Sequence, residues 1–518
     1  MIKDAFPRSP RPWCLSLGFL SLEFLSLGFL SLGFLSLGLM RLGLMGLGLI
    51  SSFGFITGAA ADWQQAQRQT IAHGVQAVLM CNGLFTSHRS LEQVFDQELK
   101  YLAPPRFDGP RGSASTGPYQ VDWAARAVTV GTDVPDTAIT AVFREGFSCI
   151  VLPPATPATA DVLQALPTAP EPLSVTATAS LNWPDGDRVV IDLPEEVDQD
   201  ALQQASAWAF ERAAPEQVTV SLLVTRFDQV LLERYASGFD ASTRTRTWST
   251  AKSIGVTLLG MLVEDGLLNL DDPLPVDWLP PLAASETDPR ARISLRQALQ
   301  MTSGLMPVDA QGLEYQSGSG LAYWAGASAA IGARRRGLVR TPGTFWDYEN
   351  YDTLLAVYAM RRVLGVGQSY HRFPGERLLN KLGMHQTLIG VDRFGDFILS
   401  SQVYSNARDL ARLGLLYLNE GVWRGERLIS QDWIEFVRTP VPVETNPKGQ
   451  YGGHWWLVPA DRDDVPKDAY ATAGNRGQYV IVVPSHNVVI VRRGLDYGRQ
   501  GFNRWDLTRE VLKALPPR

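Results

Sequence analysis

Two strand pairs, one at each end of a long helical stretch, limit the folds open to this chain. Val218 to Thr225 and Val230 to Tyr235 are rich in β-branched residues, of strand length, and joined at Phe227-Asp228-Gln229. Tyr479 to Val483 and Val488 to Arg493 repeat the pattern around Pro484-Ser485-His486-Asn487. A helix is expected outside each pair, Ala201 to Arg212 before the first and Trp505 to Ala514 after the second. Helix-spaced apolar residues fill the interval, as in Ile254, Leu258, Leu259 and Leu262. The expected architecture is α+β: an antiparallel sheet formed by both ends of the domain, flanked by helices, with an all-helical insertion between.

The stretch before residue 191 reads differently. From Trp13 to Ala61 only Glu23 and Arg41 carry charge, and a five-residue unit recurs from Leu15-Ser16-Leu17-Gly18-Phe19 onward. A period of five matches neither helix nor strand, so no face is specified. Read from Met40, the same tract resembles an export signal, with Arg41, an apolar run from Leu42 to Ile56, and Ala59-Ala60-Ala61 before Asp62, and the true start is expected at Met40 or Met45. The alternative is an uncleaved membrane anchor, because about 20 apolar residues suffice to span a bilayer. Residues 1–61 are therefore expected to be a leader and 62–190 an N-terminal region. In that region Asp62 to Leu102 reads as helical, Ala127 to Val130 and Ile139 to Phe143 as strands, and Pro153 to Pro172 as a linker. An exported body would sit in an oxidising space, where Cys81 and Cys149 are candidates for a disulfide or for two buried thiols. Cys14 belongs to the leader.

A net charge of -6 argues against a nucleic-acid partner, which would call for a basic surface. The run Arg334-Arg335-Arg336 is expected to be a solvated loop. The three cysteines and six histidines show no zinc-type spacing, and no protein partner can be inferred.

The chemistry-bearing signal is Ser249-Thr250-Ala251-Lys252. Three residues apart on a helix, the hydroxyl and the amine share a face and can meet. An amine desolvated there has a lowered pKa and can take the serine proton, activating the nucleophile without histidine. Alone the spacing is common enough to arise by chance. A second group is sought in Tyr-x-Asn, which occurs as Tyr348-Glu349-Asn350, Tyr404-Ser405-Asn406 and Tyr417-Leu418-Asn419. Tyr417 falls mid-helix and Asn406 reads as a helix N-cap. Tyr348 follows Thr341-Pro342-Gly343-Thr344 on a loop able to reach a cleft, so Tyr348 and Asn350 are the chosen pair. The third element is Thr472-Ala473-Gly474-Asn475, just before Gly477 and the final hairpin, where glycine permits close backbone approach.

These segments together resemble the serine β-lactamase and penicillin-binding-protein superfamily, in its class C-like esterase branch. The likeness runs through Trp248 to Ser253, Val263 to Leu268, Leu270 to Pro273, Ile293 to Arg296 and Met301 to Leu305. It continues in Pro342 to Asn350, Leu382-Gly383-Met384, Ala407 to Gly414 and Tyr451 to Trp456, all in the family's order. Gly238-Phe239-Asp240 and Gly474 to Gln478 give it the flavour of 6-aminohexanoate-dimer hydrolase-like proteins. The resemblance implies a serine hydrolase domain over 191–518, acting on a small-molecule ester or amide without metal or organic cofactor. It implies Ser249 as nucleophile, Lys252 and Tyr348 as proton carriers, Asn350 as orienting group, and the N–H groups of Ser249 and Asn475 as oxyanion donors. Family members that bind an anionic carboxylate usually carry Lys-Thr-Gly where this chain has Thr472-Ala473-Gly474, so weak β-lactamase activity is expected. A D-stereospecific peptidase or transpeptidase and a catalytically silent binding protein are the competing readings.

Overall fold

The computed structural model describes residues 43–170, 180–280 and 287–516, and of residues 43–63 only the backbone path. Residues 1–42, with the repeats and Met40, and the far end of the Pro-rich stretch lie outside the described residues. Met1–Asp62 and Trp63–Arg518 are two separate units. Among the described residues no helix is long and apolar enough to cross a membrane.

The N-terminal helix runs Gly43–Phe85 and then stops, where one helical run to Leu102 was expected. Ser90 restarts it: its hydroxyl accepts from Gln93 N–H while the Gln93 side chain accepts from Ser90 N–H, a capping box that fixes a new N-terminus. Short turns of π and 3-10 type carry the chain through residues 94–102. Strands Tyr119–Asp122, Ala127–Val130, Ile139–Arg144 and Ser148–Val151 then form an antiparallel meander in sequence order. Cys149 on its last strand is disulfide-bonded to Cys81 on the helix. The Pro-rich stretch contains the short helix Ala160–Ala165, capped by Thr159.

The main sheet has six strands in the order Trp456–Leu457, Tyr470–Ala471, Tyr479–Val483, Val488–Gly494, Thr219–Arg226 and Gln229–Tyr235, all antiparallel. Its centre is the pairing of the two hairpins, with Arg492 opposite Leu222 and Val488 opposite Arg226. The turns between their strands use left-handed residues, Phe227 (φ 51°) in one and Asn487 (φ 53°) in the other.

Alternation along the strands explains their long apolar runs. Leu223, Val480, Val482, Val489 and Val491 join the larger core. Their neighbours Leu222, Val224, Ile481, Val483, Val488 and Ile490 join a second core built with helices Gln199–Phe210 and Arg504–Leu512. With period two, one strand serves both cores, and covering both faces removes the usual polar alternation. On the first face helix Ala407–Leu418 lies against the sheet at Gly414, where a Cβ would stand 2.4 Å from Val489 Cγ1.

The segment between the hairpins carries several helices among long loops, led by Ala251–Glu264 and Asn350–Leu364. It also holds short strands, Leu388–Ile389 and Val403–Ser405, in a three-stranded sheet with Thr245–Arg246. The arginine run is not a solvated loop. Arg334 pairs with Asp277, and Arg336 Nη2 lies 2.7 Å from Asp352 Oδ1 with both side chains at most 3% exposed. Only Arg335 faces solvent. Asp352 on the helix Asn350–Leu364 supplies the counter-charge, a through-space fact that spacing does not reveal.

Candidate active site

Ser249 stands in the 3-10 turn Trp248–Thr250 that opens the helix Ala251–Glu264. The helix is rigid because Ala251 through Leu262 are all buried. Backbone N–H groups in a first helical turn have no intrahelical acceptor and remain free for a ligand. Trp248, immediately before the serine, holds φ at 50°, a left-handed conformation rare for a bulky residue. Its ring is clamped by the Arg246 guanidinium 3.9 Å above it and by the Tyr101 ring at 4.7 Å.

Lys252 is 2% exposed, and its Nζ donates to Ser249 Oγ at 3.2 Å, Asn350 Oδ1 at 2.6 Å and the Ser400 carbonyl at 2.9 Å. Burial brings its pKa from the usual lysine value to about 7, against the opposing pull of Asp309, Glu314 and Glu349. The shift places a neutral amine within reach near pH 7. Tyr348 is half-buried, with Lys252 Nζ 5.0 Å from its ring centre. Its hydroxyl is pushed up to about 12 by burial, in opposition to a side-chain hydrogen bond with Ser249. The structure therefore gathers Ser249, Lys252, Tyr348 and Asn350 at one place. Asn350 also donates through Nδ2 to Ser319 Oγ at 3.1 Å.

The other two Tyr-x-Asn pairs lie elsewhere in role. Asn406 Oδ1 accepts from Asp409 N–H as the N-cap of helix Ala407–Leu418, and Tyr404 is buried with its hydroxyl on Gln402. Tyr417 stands in the last turn of that helix rather than at its middle, buried against Trp455 and sharing a hydrogen bond with Thr257. His454 is held neutral. Burial takes its pKa down to about 3, and its ring nitrogens meet Tyr451 and Thr353.

The third segment closes against the turn that carries Ser249. Thr472 Oγ1 and Thr250 Oγ1 are 3.0 Å apart, and Thr250 Oγ1 donates to the Gln478 carbonyl. Gly474 pairs with Gln478 across a tight turn, and a Cβ on Gly474 would sit 2.2 Å from the Thr247 carbonyl oxygen. Glycine is thus both the turn residue and the condition for close approach. Ala473 is half-buried and Asn475 is exposed at the tip. Trp346, Tyr348, Tyr451 and Trp456 form an aromatic cluster around buried Tyr451, with ring centres 5.0–6.4 Å apart.

Sequence reasoning missed the Ser400 carbonyl, Ser319 and the acidic group around Asp309. Asp309 N–H donates to Glu349 Oε2 at 2.9 Å, and Ser319 N–H to Asp309 Oδ1 at 2.9 Å. Burial and the neighbouring Asp309 hold the Glu349 carboxyl well above the carboxylate range, and burial raises Glu314 to about 7. None of these carries a local spacing signal.

The β-lactamase family model matches residues 208–492. The chain belongs to the β-lactamase family of serine hydrolases. Within this family it is 28% identical over 304 residues to the 6-aminohexanoate-dimer hydrolase of Paenarthrobacter ureafaciens, covering 54% of this chain and 74% of that protein. A solved family VIII carboxylesterase is 16% identical, with 63% of this chain and 98% of that chain covered and a TM-score of 0.48. A D-stereospecific amidohydrolase from Streptomyces sp. is 18% identical, with 61% and 98% covered and a TM-score of 0.46. The β-lactamase match begins at Trp208, so the disulfide-bonded N-terminal region of this family member lies outside it.

Proposed function

We propose that the protein is an exported serine hydrolase that cleaves small-molecule ester or amide bonds through an acyl-enzyme on Ser249. The observation that carries this is the Lys252 amine, buried, lowered to about 7, and shared among Ser249 Oγ, Asn350 Oδ1 and the Ser400 carbonyl. Neutral Lys252 takes the Ser249 proton as Oγ bonds to the substrate carbonyl carbon and the carbonyl electron pair moves onto oxygen. The N–H groups of Ser249 and Asn475 receive that oxyanion; one such donor is typically worth about 2.7–4 kcal/mol. Tyr348 relays the proton to the departing alcohol or amine as its bond to carbon breaks. Water then attacks the ester on Ser249, giving a proton back through the same groups and releasing the acid. Asn350 fixes the amine so that its lone pair faces the serine.

Two features favour a neutral substrate over a β-lactam or peptide carboxylate. Thr472 offers a hydroxyl already engaged with Thr250 and Val480 N–H, where an ammonium would serve an anion. The half-buried rings of Trp346 and Trp456 beside Tyr348 offer apolar surface for an acyl or leaving group. Linear amides of the type named for the Paenarthrobacter relative belong in the substrate screen beside simple esters and D-amino-acid amides. The Cys81–Cys149 bond supports a periplasmic or extracellular location, with membrane anchoring if the leader is retained.

Intact-mass spectrometry after a fluorophosphonate probe tests the reading. One adduct that disappears in Ser249→Ala is expected. A folded wild-type protein that takes no adduct overturns it in favour of a silent binding protein, and an adduct retained in Ser249→Ala assigns the wrong serine.

A further inference from the structure

The N-terminal region enters the site through residues 91–102, which the β-lactamase match does not include. Tyr101, 3% exposed, touches two separate parts of the candidate centre, Trp248 and Asn475. Its ring packs on Trp248, the left-handed residue immediately before Ser249. Its hydroxyl accepts from Asn475 Nδ2 at 3.4 Å and shares a 2.7 Å hydrogen bond with the Tyr315 hydroxyl. The same turn grips the residue after Asn475. Arg476 Nη1 donates to the Glu98 carbonyl at 3.0 Å and lies 3.2 Å from Glu98 Oε2, and Nη2 donates to the Gln97 carbonyl at 2.9 Å. Glu98 is held in turn by Arg89 at 3.0 Å, all three side chains at most 11% exposed. Arg476 itself has a φ of 61°, so the tip carrying Asn475 is a left-handed turn locked by an ion pair from another part of the chain.

We propose that Tyr101 is a positioning residue for hydrolysis, holding Trp248 with its ring and Asn475 with its hydroxyl so that the Ser249 and Asn475 N–H groups converge on one oxygen. This rests on the acyl-enzyme reading above. A left-handed tryptophan persists only where its surroundings over-determine it. The Tyr101 ring and the Arg246 guanidinium are those surroundings, and the Glu98–Arg476 pair does the same for the opposite donor. Oxyanion donors act in the transition state, so their misplacement lowers kcat and leaves KM alone.

The experiment compares the full chain with Tyr101→Phe, which keeps the ring and loses the hydroxyl, and Tyr101→Leu, which loses both. Hydrolysis of p-nitrophenyl acetate, the rate of fluorophosphonate labelling and the melting temperature are read for each. Tyr101→Phe should lower kcat about threefold to tenfold at unchanged KM, the worth of the hydrogen bond to Asn475, while loss of the Tyr315 bond lowers the melting temperature only slightly. Tyr101→Leu should lower it by about a hundredfold, with labelling slowed in parallel. Glu145→Gln, on an exposed ion pair of the same region, should change nothing. Wild-type kcat in both tyrosine variants overturns the proposal while labelled wild-type Ser249 leaves the acyl-enzyme reading standing. A raised KM at constant kcat also overturns it, since Tyr101 would then be a substrate contact. Should Tyr101→Leu fold poorly, Tyr101→Phe decides alone. Absence of labelling in the wild type strikes the acyl-enzyme reading itself.

Discussion

Lys252 Nζ lies closer to Asn350 Oδ1, at 2.6 Å, than to Ser249 Oγ, at 3.2 Å. The amine is thus anchored by the asparagine and reaches the serine from that anchor. Asn350→Ala should leave Lys252 with the Ser400 carbonyl as its remaining fixed partner and lower kcat about tenfold or more, in the range of a positioned general base. Asn350→Asp places an anion beside the amine, which favours the ammonium and raises the Lys252 pKa. The expected signature is a shift of the acid limb of kcat/KM to higher pH, measured against a neutral ester.

On the proposed mechanism the same lysine should set the pH profile of the unaltered protein. Its amine is lowered to about 7 by burial, so the reactive neutral form is lost as pH falls below that value. Activity should decline about tenfold per pH unit below the limb, the behaviour of one essential deprotonated group. Tyr348, pushed up to about 12, stays protonated across the range and should add no alkaline limb below about pH 10. A profile flat from pH 5 to 9 would contradict the assignment of Lys252.

Gly474→Ala tests the closeness of the two backbone segments. The new Cβ would lie 2.2 Å from the Thr247 carbonyl oxygen, inside any real contact distance. The turn bearing Asn475 must move away from Ser249, and kcat should fall by about a hundredfold, comparable to loss of one oxyanion donor. Steady-state kinetics beside circular dichroism separates this from unfolding.

Nitrocefin turnover measures what Thr472-Ala473-Gly474 lacks. A charge-assisted partner for a carboxylate is worth about 1.5–3 kcal/mol, or about tenfold to 150-fold. kcat/KM on nitrocefin should fall below that on a simple ester by at least this factor. Parity between the two would show a carboxylate partner elsewhere in the cleft.

Reduction of Cys81–Cys149, 68 residues apart in sequence, should lower stability by about 2–4 kcal/mol. Thermal melts with and without reductant, and of Cys149→Ser, check this.

Much of the frame was legible because its signals are local. Tyr479–Val483 begins and ends where its β-branched run does, and Asn406 caps its helix as a residue of that type should. The Ser249, Lys252 and Asn350 side chains could be named because two short spacings and one resemblance converge on them. The Ser400 carbonyl could not, since any residue supplies one and only the tertiary path aims it at Lys252. Tyr101 was hidden for the same reason, lying more than a hundred residues before the serine it approaches. The helix break at residues 86–90 was missed because the apolar spacing is helical on each side of it, while the decisive signal is the Ser90 and Gln93 capping pair.

The main sheet places Thr219–Arg226 directly beside Val488–Gly494. On the ribosome the earlier hairpin is therefore made long before its central neighbour exists. Its backbone must wait, unpaired on that side, until nearly the whole chain has emerged. Such non-local closure is slow and exposes an adhesive strand in the meantime. A message truncated before Val488 would yield a polypeptide that keeps Ser249 and Lys252 in sequence but cannot assemble the sheet that brings Asn475 to them.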